Sequence, residues 1–186
     1  MQDDLNLLYP LTEFYAEAGL DLPEARRVDE EAVPEPYKSL LVHESDMTPT
    51  LQRFCKQSVH IRALKTHLNG NVYSRQVVLA LDREERPVEF GAIKIYLQNF
   101  PWQARPLILE EQRPLGAILH SQGIAHVSRP KAFVQVWADT LISNALNLKE
   151  ANWLYGRRNE LLNFSKQILA EIIEILPPSQ NLQPAI

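Results

Sequence analysis

Asn69-Gly70 lies between two runs of strand-forming residues, 59–68 and 72–81, and this arrangement sets the architecture. Such a dipeptide closes a tight hairpin, because Asn and Gly both tolerate the left-handed backbone that the turn demands. The turn Asp82–Arg86 and a third run, 87–97, follow directly. Three consecutive strands joined by short turns make an antiparallel meander.

The rest of the chain adds strands and helices around it. Residues 124–137 have strand character, and 153–164 with 167–176 form a last hairpin that Pro177-Pro178 ends. Leu5, Leu8, Leu11, Phe14 and Tyr15 recur at three- and four-residue spacing, which predicts a helix over 4–18. Residues 36–57 read as helix in two pieces, the second capped by Thr48 with Pro49 at its first position. Two short helices are expected between the prolines of 99–123, and another over 138–151. Residues 21–36 read as an extended connector and 179–186 as a loose tail. The sum is a single α+β domain spanning 1–186. Its antiparallel sheet has five to six strands, with helices covering one face.

Composition narrows the function classes. Apolar residues make up 45% of the 186, enough for a substantial core, and the net charge is −4. With no run of Lys and Arg, a nucleic-acid or anionic-membrane partner is not expected. No apolar stretch approaches the roughly 20 residues of a membrane helix. The acidic start Met1-Gln2-Asp3-Asp4 lacks the pattern of a secretory signal. A soluble, cytoplasmic monomer is expected. Cys55 is the single cysteine, which rules out an intramolecular disulfide and a multi-cysteine metal cluster, and it reads as a small buried hydrophobe. His43, His60, His67, His120 and His126 show no metal spacing, and there is no Gly-rich phosphate loop. Neither a metal nor an organic cofactor is expected. Trp102, Trp137 and Trp153 read as packing residues.

Charges on apolar rows are the functional signal. Alternate strand residues share a face. In 72–81 the row Tyr73, Arg75, Val77, Leu79, Leu81 is apolar apart from Arg75. A buried guanidinium without an anion is costly, so Arg75 should meet a carboxylate of the protein or of a ligand. In the last strand Glu174 interrupts the row Ile168, Ala170, Ile172, Leu176, and Glu171 interrupts the opposite row. Gly91 stands in the row Glu89, Gly91, Ile93, Ile95, Leu97, where glycine weakens a strand but leaves room for a ligand. Two readings stay open. One is an internal Arg–Glu ion pair with a bulge at Gly91; the other is a cavity for an anionic, hydroxylated ligand. Arg157 and Arg158 read either as binders of a second carboxylate or, for at least one of them, as a solvated strand-end charge.

Three motifs resemble the chorismate pyruvate-lyase family. They are Leu40-Leu41-Val42-His43-Glu44-Ser45-Asp46-Met47-Thr48 with Arg53-Phe54, then Pro114-Leu115-Gly116, then Leu154-Tyr155-Gly156-Arg157-Arg158 with Glu174-Ile175-Leu176-Pro177. Arg75 and Gly91 lie between them in the family's order, and the resemblance covers roughly 38–178. It implies a chorismate lyase-like fold and a cofactor-independent lyase. Such an enzyme would split chorismate into 4-hydroxybenzoate and pyruvate for quinone biosynthesis, plastoquinone in the photosynthetic-bacterial branch. It further implies Arg75 and Glu174 as catalytic residues, Arg75 holding the ring carboxylate and Glu174 handling protons at the ring hydroxyl. Backbone amides of Met47 and Leu115 would bind substrate, Leu115 from a flap, and Gly91 would keep the floor open. The glutamate spacing before Pro177 departs by one residue, which leaves Glu171 as an alternative to Glu174. The same fold also serves as an effector-binding domain in transcription regulators. A non-catalytic module for an aromatic acid is therefore the alternative function, although residues 1–35 are too short and acidic for the winged helix those regulators carry.

Overall fold

The computed structural model describes residues 7–183. Seven strands, β1 (Ala25–Val28), β2 (Val59–Asn69), β3 (Val72–Leu81), β4 (Pro87–Tyr96), β5 (Val127–Trp137), β6 (Trp153–Leu162) and β7 (Ile168–Ile175), form one sheet in the order β1-β5-β6-β7-β4-β3-β2. Every pairing is antiparallel. The helices are α1 (Leu11–Ala18), α2 (Tyr37–Leu41), α3 (Met47–Cys55), α4 (Ala104–Leu109), α5 (Leu115–Ser121) and α6 (Thr140–Ala145). The α+β class and the antiparallel sheet agree with the sequence reading. No helix among the described residues is long and apolar enough to cross a membrane.

The hairpin forms where the sequence places it. Asn69 pairs with Val72, so Gly70-Asn71 is the loop, and Gly70 takes φ 58°. That is the left-handed region, which glycine enters without a Cβ clash.

The strand count exceeds the expected five to six because the connector 21–36 contains β1. Ala25-Arg26-Arg27-Val28 has no apolar alternation and becomes a strand only by pairing with Phe133–Val136 of β5. Arg26 secures it, donating from Nε to Gln135 Oε1 at 2.8 Å and lying over the Trp153 ring at 4.5 Å. An edge strand held by its neighbour leaves no hydrophobic period to read.

Helix limits also differ. Pro10 caps α1, which begins at Leu11; residues 4–6 of the expected helix lie outside the described residues. The helix expected over 138–151 is only Thr140–Ala145. Asp139 caps it by accepting from the Ile142 N–H at 2.9 Å, and Asn147 at φ 53° turns the chain away. In α3 the cap is Asp46 rather than Thr48, and Pro49 falls within the first turn, where no N–H is missed. The tail 179–186 is not loose as far as residue 183. Leu182 is fully buried, its carbonyl accepts from Cys55 Sγ at 3.4 Å, and Arg86 holds the Asn181 carbonyl. Residues 184–186 lie outside the described residues.

α2–α5 cover one sheet face, packing on Tyr73, Leu79, Leu81 and Ile95. The other face is apolar as well, through Val78, Ala80, Phe90 and Ile173, and α1 and α6 close it. The run Val77-Val78-Leu79-Ala80-Leu81 shows why, since a strand buried on both faces has no polar row.

Candidate functional site

A cavity of about 70 Å³ lies between the sheet and the starts of α3 and α5. Its floor comes from β3, β4 and β7, and its roof from Asp46-Met47-Thr48 and Pro114-Leu115-Gly116. Met47, Arg75, Gly91, Leu115 and Glu174, the residues singled out from the sequence, all line this one space. Met47 and Leu115 each open a helix, where the first-turn N–H groups have no intrahelical acceptor.

Register fixes the order along the floor. Arg75 lies opposite Ile93, and Ile93 opposite Ile172. One step along, Gly91 separates Val77 from Glu174, and beyond it Glu89 faces Leu79. The Arg75 side chain is 1% exposed. Its Nη2 donates to the Arg113 carbonyl at 3.3 Å, just ahead of the roof segment, while Nε and Nη1 have no partner. Burial lowers the pKa of Arg75, with Tyr73 and Glu111 acting in the opposite sense. A guanidinium remains a cation regardless. Two unpaired donor nitrogens on a buried cation are a standing cost and a ready anion site.

Glu174 does not meet Arg75. It accepts from Nε of Arg157, which is wholly buried. Arg157 is thus no solvated strand-end charge. It also donates to the carbonyls of Leu41 at 3.3 Å, His43 at 2.9 Å and Ser45 at 3.0 Å, anchoring the loop that leads into α3. Burial first, and then the Arg157 charge, lowers the pKa of His43. Glu171 belongs to the opposite face, where Tyr96 donates to it at 2.6 Å and Arg158 lies 3.6 Å away. The internal ion pair is thus formed by Glu174 with Arg157, and no carboxylate lies within hydrogen-bond reach of Arg75 among the described residues.

Gly91 has a second reason to be glycine. A Cβ there would sit 2.3 Å from the Ile173 carbonyl oxygen, and one at Gly156 would sit 2.4 Å from that of Glu174. At these two positions β4 and β6 approach the β7 backbone too closely for a side chain. No bulge falls at Gly91, since the β3–β4 register shift lies between Leu79 and Ala80.

Sequence reasoning missed Glu89. It is 6% exposed and lines the cavity, and its Oε2 has no hydrogen-bond partner. Burial first, and then the Glu174 charge, holds its carboxyl well above the usual carboxylate range, although Arg157 pulls the other way. The signal was available, because Glu89 breaks the same row as Gly91, Ile93 and Ile95.

A polar clasp joins the two roof elements to the start of β5. His126 Nε2 lies 3.0 Å from both Asp46 carboxylate oxygens, and Asp46 packs against Gly116 of α5. The hydrogen bond to Asp46 raises the pKa of His126, against the effect of burial. The clasp therefore favours the protonated ring. Its contribution is complete below the ordinary histidine value of about 6.5 and disappears as the pH rises through the raised folded value. His126→Ala should cost about 1 kcal/mol at acid pH and less above that range. Chemical denaturation of both proteins across pH checks this, and a pH-independent difference would remove the clasp.

No family model matches the chain, and no curated protein matches it significantly. Solved structures do. The effector domain of PhnF from Mycobacterium smegmatis is 13% identical, with a TM-score of 0.56 over 73% of this chain and 90% of that one. The crystal structure of PhnF itself is 10% identical, with a TM-score of 0.57 over 95% of this chain and 97% of that one. The ligand-binding domain of a putative GntR-family transcriptional regulator from Bordetella bronchiseptica is 14% identical, with a TM-score of 0.51 over 64% of this chain and 86% of that one. These likenesses establish the fold, which such effector domains share with chorismate lyases.

The expectation of a chorismate-splitting enzyme is overturned. Of the structures named, one is the ligand-binding domain of a putative transcriptional regulator and one an effector domain, and none is named as a lyase. The carboxylate expected to handle protons, Glu174, is taken up by Arg157. Arg75 and Glu174 keep their places in the cavity wall but lose the catalytic assignment, and the expected place in quinone biosynthesis goes with it.

Proposed function

We propose that the chain is a non-catalytic sensing module for a small aromatic carboxylate, held by Arg75 inside the cavity. The observation that carries the reading is the Arg75 guanidinium, buried in an apolar wall with two nitrogens unpartnered. A carboxylate accepting from such a fork gains two charge-assisted hydrogen bonds. Val77, Leu79, Ile93 and Ile172 supply the apolar surface for a ring. The ligand-binding and effector domains that share the fold support the same reading.

Size supports sensing over simple storage. Voids that admit benzene measure about 150 Å³, and the cavity is about 70 Å³. A ring larger than this space is expected to displace the roof at Met47 and Leu115. Binding is then coupled to the positions of α3 and α5, which is what a sensor requires.

Titration calorimetry with benzoate, 4-hydroxybenzoate, chorismate and benzyl alcohol tests the proposal. Benzoate and 4-hydroxybenzoate should bind with Kd below about 1 mM, roughly −4 kcal/mol, and the alcohol should not. Chorismate should release no pyruvate beyond its spontaneous rate. Equal binding of the alcohol would remove the anchor role of Arg75, and catalysed pyruvate release would replace sensing with catalysis.

A further inference from the structure

Two carboxyl groups, Glu89 and Glu174, line the cavity beyond Gly91 from Arg75, and Arg157 backs Glu174 from outside the lining. Arg157 spends its donors on Glu174 and on the carbonyls of Leu41, His43 and Ser45. None reaches Glu89, whose Oε2 is buried and unpartnered in the cavity wall. Glu174 and Arg157 already balance each other in charge. A second bare carboxylate here would sit in apolar surroundings beside an existing negative charge. The arrangement is stable when Glu89 carries a proton, and the elevation of its pKa by burial and by Glu174 agrees. Glu89 then has an O–H with no acceptor in the protein.

Position gives that O–H a role. Arg75 faces Ile93 across β3 and β4, and Glu89 stands four residues from Ile93 on the same row. At about 3.3 Å per residue the two anchor points are roughly 13 Å apart along the strands. Both side chains line the same cavity, so a single ligand can meet both.

We propose that Glu89 is the selectivity residue of the site, donating a hydrogen bond to an uncharged oxygen at the opposite end of the ligand from the carboxylate that Arg75 holds. The ligand class is then a ring monoacid bearing a hydroxyl or carbonyl across from its carboxylate. A diacid is refused, because its second carboxylate would meet the Glu89 and Glu174 carboxyls with no free cation. This deepens the aromatic-acid reading and rests on it.

The test measures binding of 4-hydroxybenzoate, benzoate and terephthalate to the full chain and to its Glu89→Gln and Glu89→Leu variants. The unaltered chain should prefer 4-hydroxybenzoate to benzoate by about tenfold, the worth of one buried hydrogen bond, and should bind terephthalate more weakly than either. Glu89→Gln retains an N–H donor and should keep the preference. Glu89→Leu should bring the ratio of the two affinities to about one, whatever its effect on benzoate affinity itself. A ratio that survives Glu89→Leu, or terephthalate binding as tightly as 4-hydroxybenzoate, overturns the role of Glu89 and leaves the aromatic-acid reading standing. Failure of all three acids to bind the unaltered chain removes both. Carbon-13 NMR of labelled glutamate decides the matter without a ligand and without the leucine variant. One carboxyl should stay un-ionised at about pH 7 and vanish in Glu89→Gln, and a Glu89 resonance that is ionised there overturns the proposal.

Discussion

Arg75→Met should abolish capture of aromatic acids and, in the same protein, raise the melting temperature of the ligand-free chain. The two effects have one cause. Arg75 is 1% exposed, with a single 3.3 Å hydrogen bond to the Arg113 carbonyl and two nitrogens unpartnered. Replacing even a paired set of buried charges by apolar groups of similar volume is often neutral or stabilising by about 1–4 kcal/mol, and Arg75 has no ion-pair partner to lose. Each kcal/mol corresponds to about 2–4 °C in a chain of this length. With ligand bound, the same guanidinium supplies two charge-assisted hydrogen bonds worth about 1.5–3 kcal/mol each. Their loss should weaken binding by at least about 100-fold. Arg75→Lys separates the contributions, since it keeps the buried charge and loses the planar fork. It should bind poorly without gaining stability. Thermal melts with and without benzoate check all three proteins. A methionine variant that melts lower than the parent would make Arg75 a structural residue, and one that still binds acid would make it a bystander.

Arg157→Met should have the opposite sign and the largest stability cost. Arg157 looks like Arg75 in burial but has its donors satisfied. Its removal strands Glu174 in an apolar wall and frees the carbonyls of Leu41, His43 and Ser45, which set the approach to α3. Breaking a buried pair by removing one partner costs about 3–5 kcal/mol. The double variant Arg157→Met with Glu174→Leu should recover part of that, because no lone charge is left. Denaturant unfolding of the four proteins in the cycle gives the coupling energy between the two residues. A coupling near zero would mean that the carbonyl contacts, rather than the ion pair, make up the contribution of Arg157.

Strand periodicity carried much of the site. Alternation marked Arg75, Gly91 and either Glu174 or Glu171 as breaks in the rows of their own strands, and only strand pairing brought Arg75, Gly91 and Glu174 to one cavity. Motif resemblance supplied Met47 and Leu115, whose role depends on where two helices begin rather than on a period. Glu89 was legible on the same row as Gly91, but its weight was not, because only the shared environment of Glu89, Glu174 and Arg157 makes its carboxyl unusual. Edge strand β1 and the seat of Leu182 left no local trace, since each is held by residues distant in the chain.

What the amino-acid order determined unaided was the antiparallel meander, its turn at Gly70, and the charges that break its apolar rows. Those are consequences of backbone sterics and a two-residue side-chain period, which act over a few residues. Which carboxylate meets which guanidinium was decided only by folding. Arg157 and Glu174 sit opposite each other because β6 and β7 pair in that register, and Arg75 is left without an anion because the strand beside it offers Ile93 instead. Charge pairing depends on distances across the sheet, and those exist only once the strands have met.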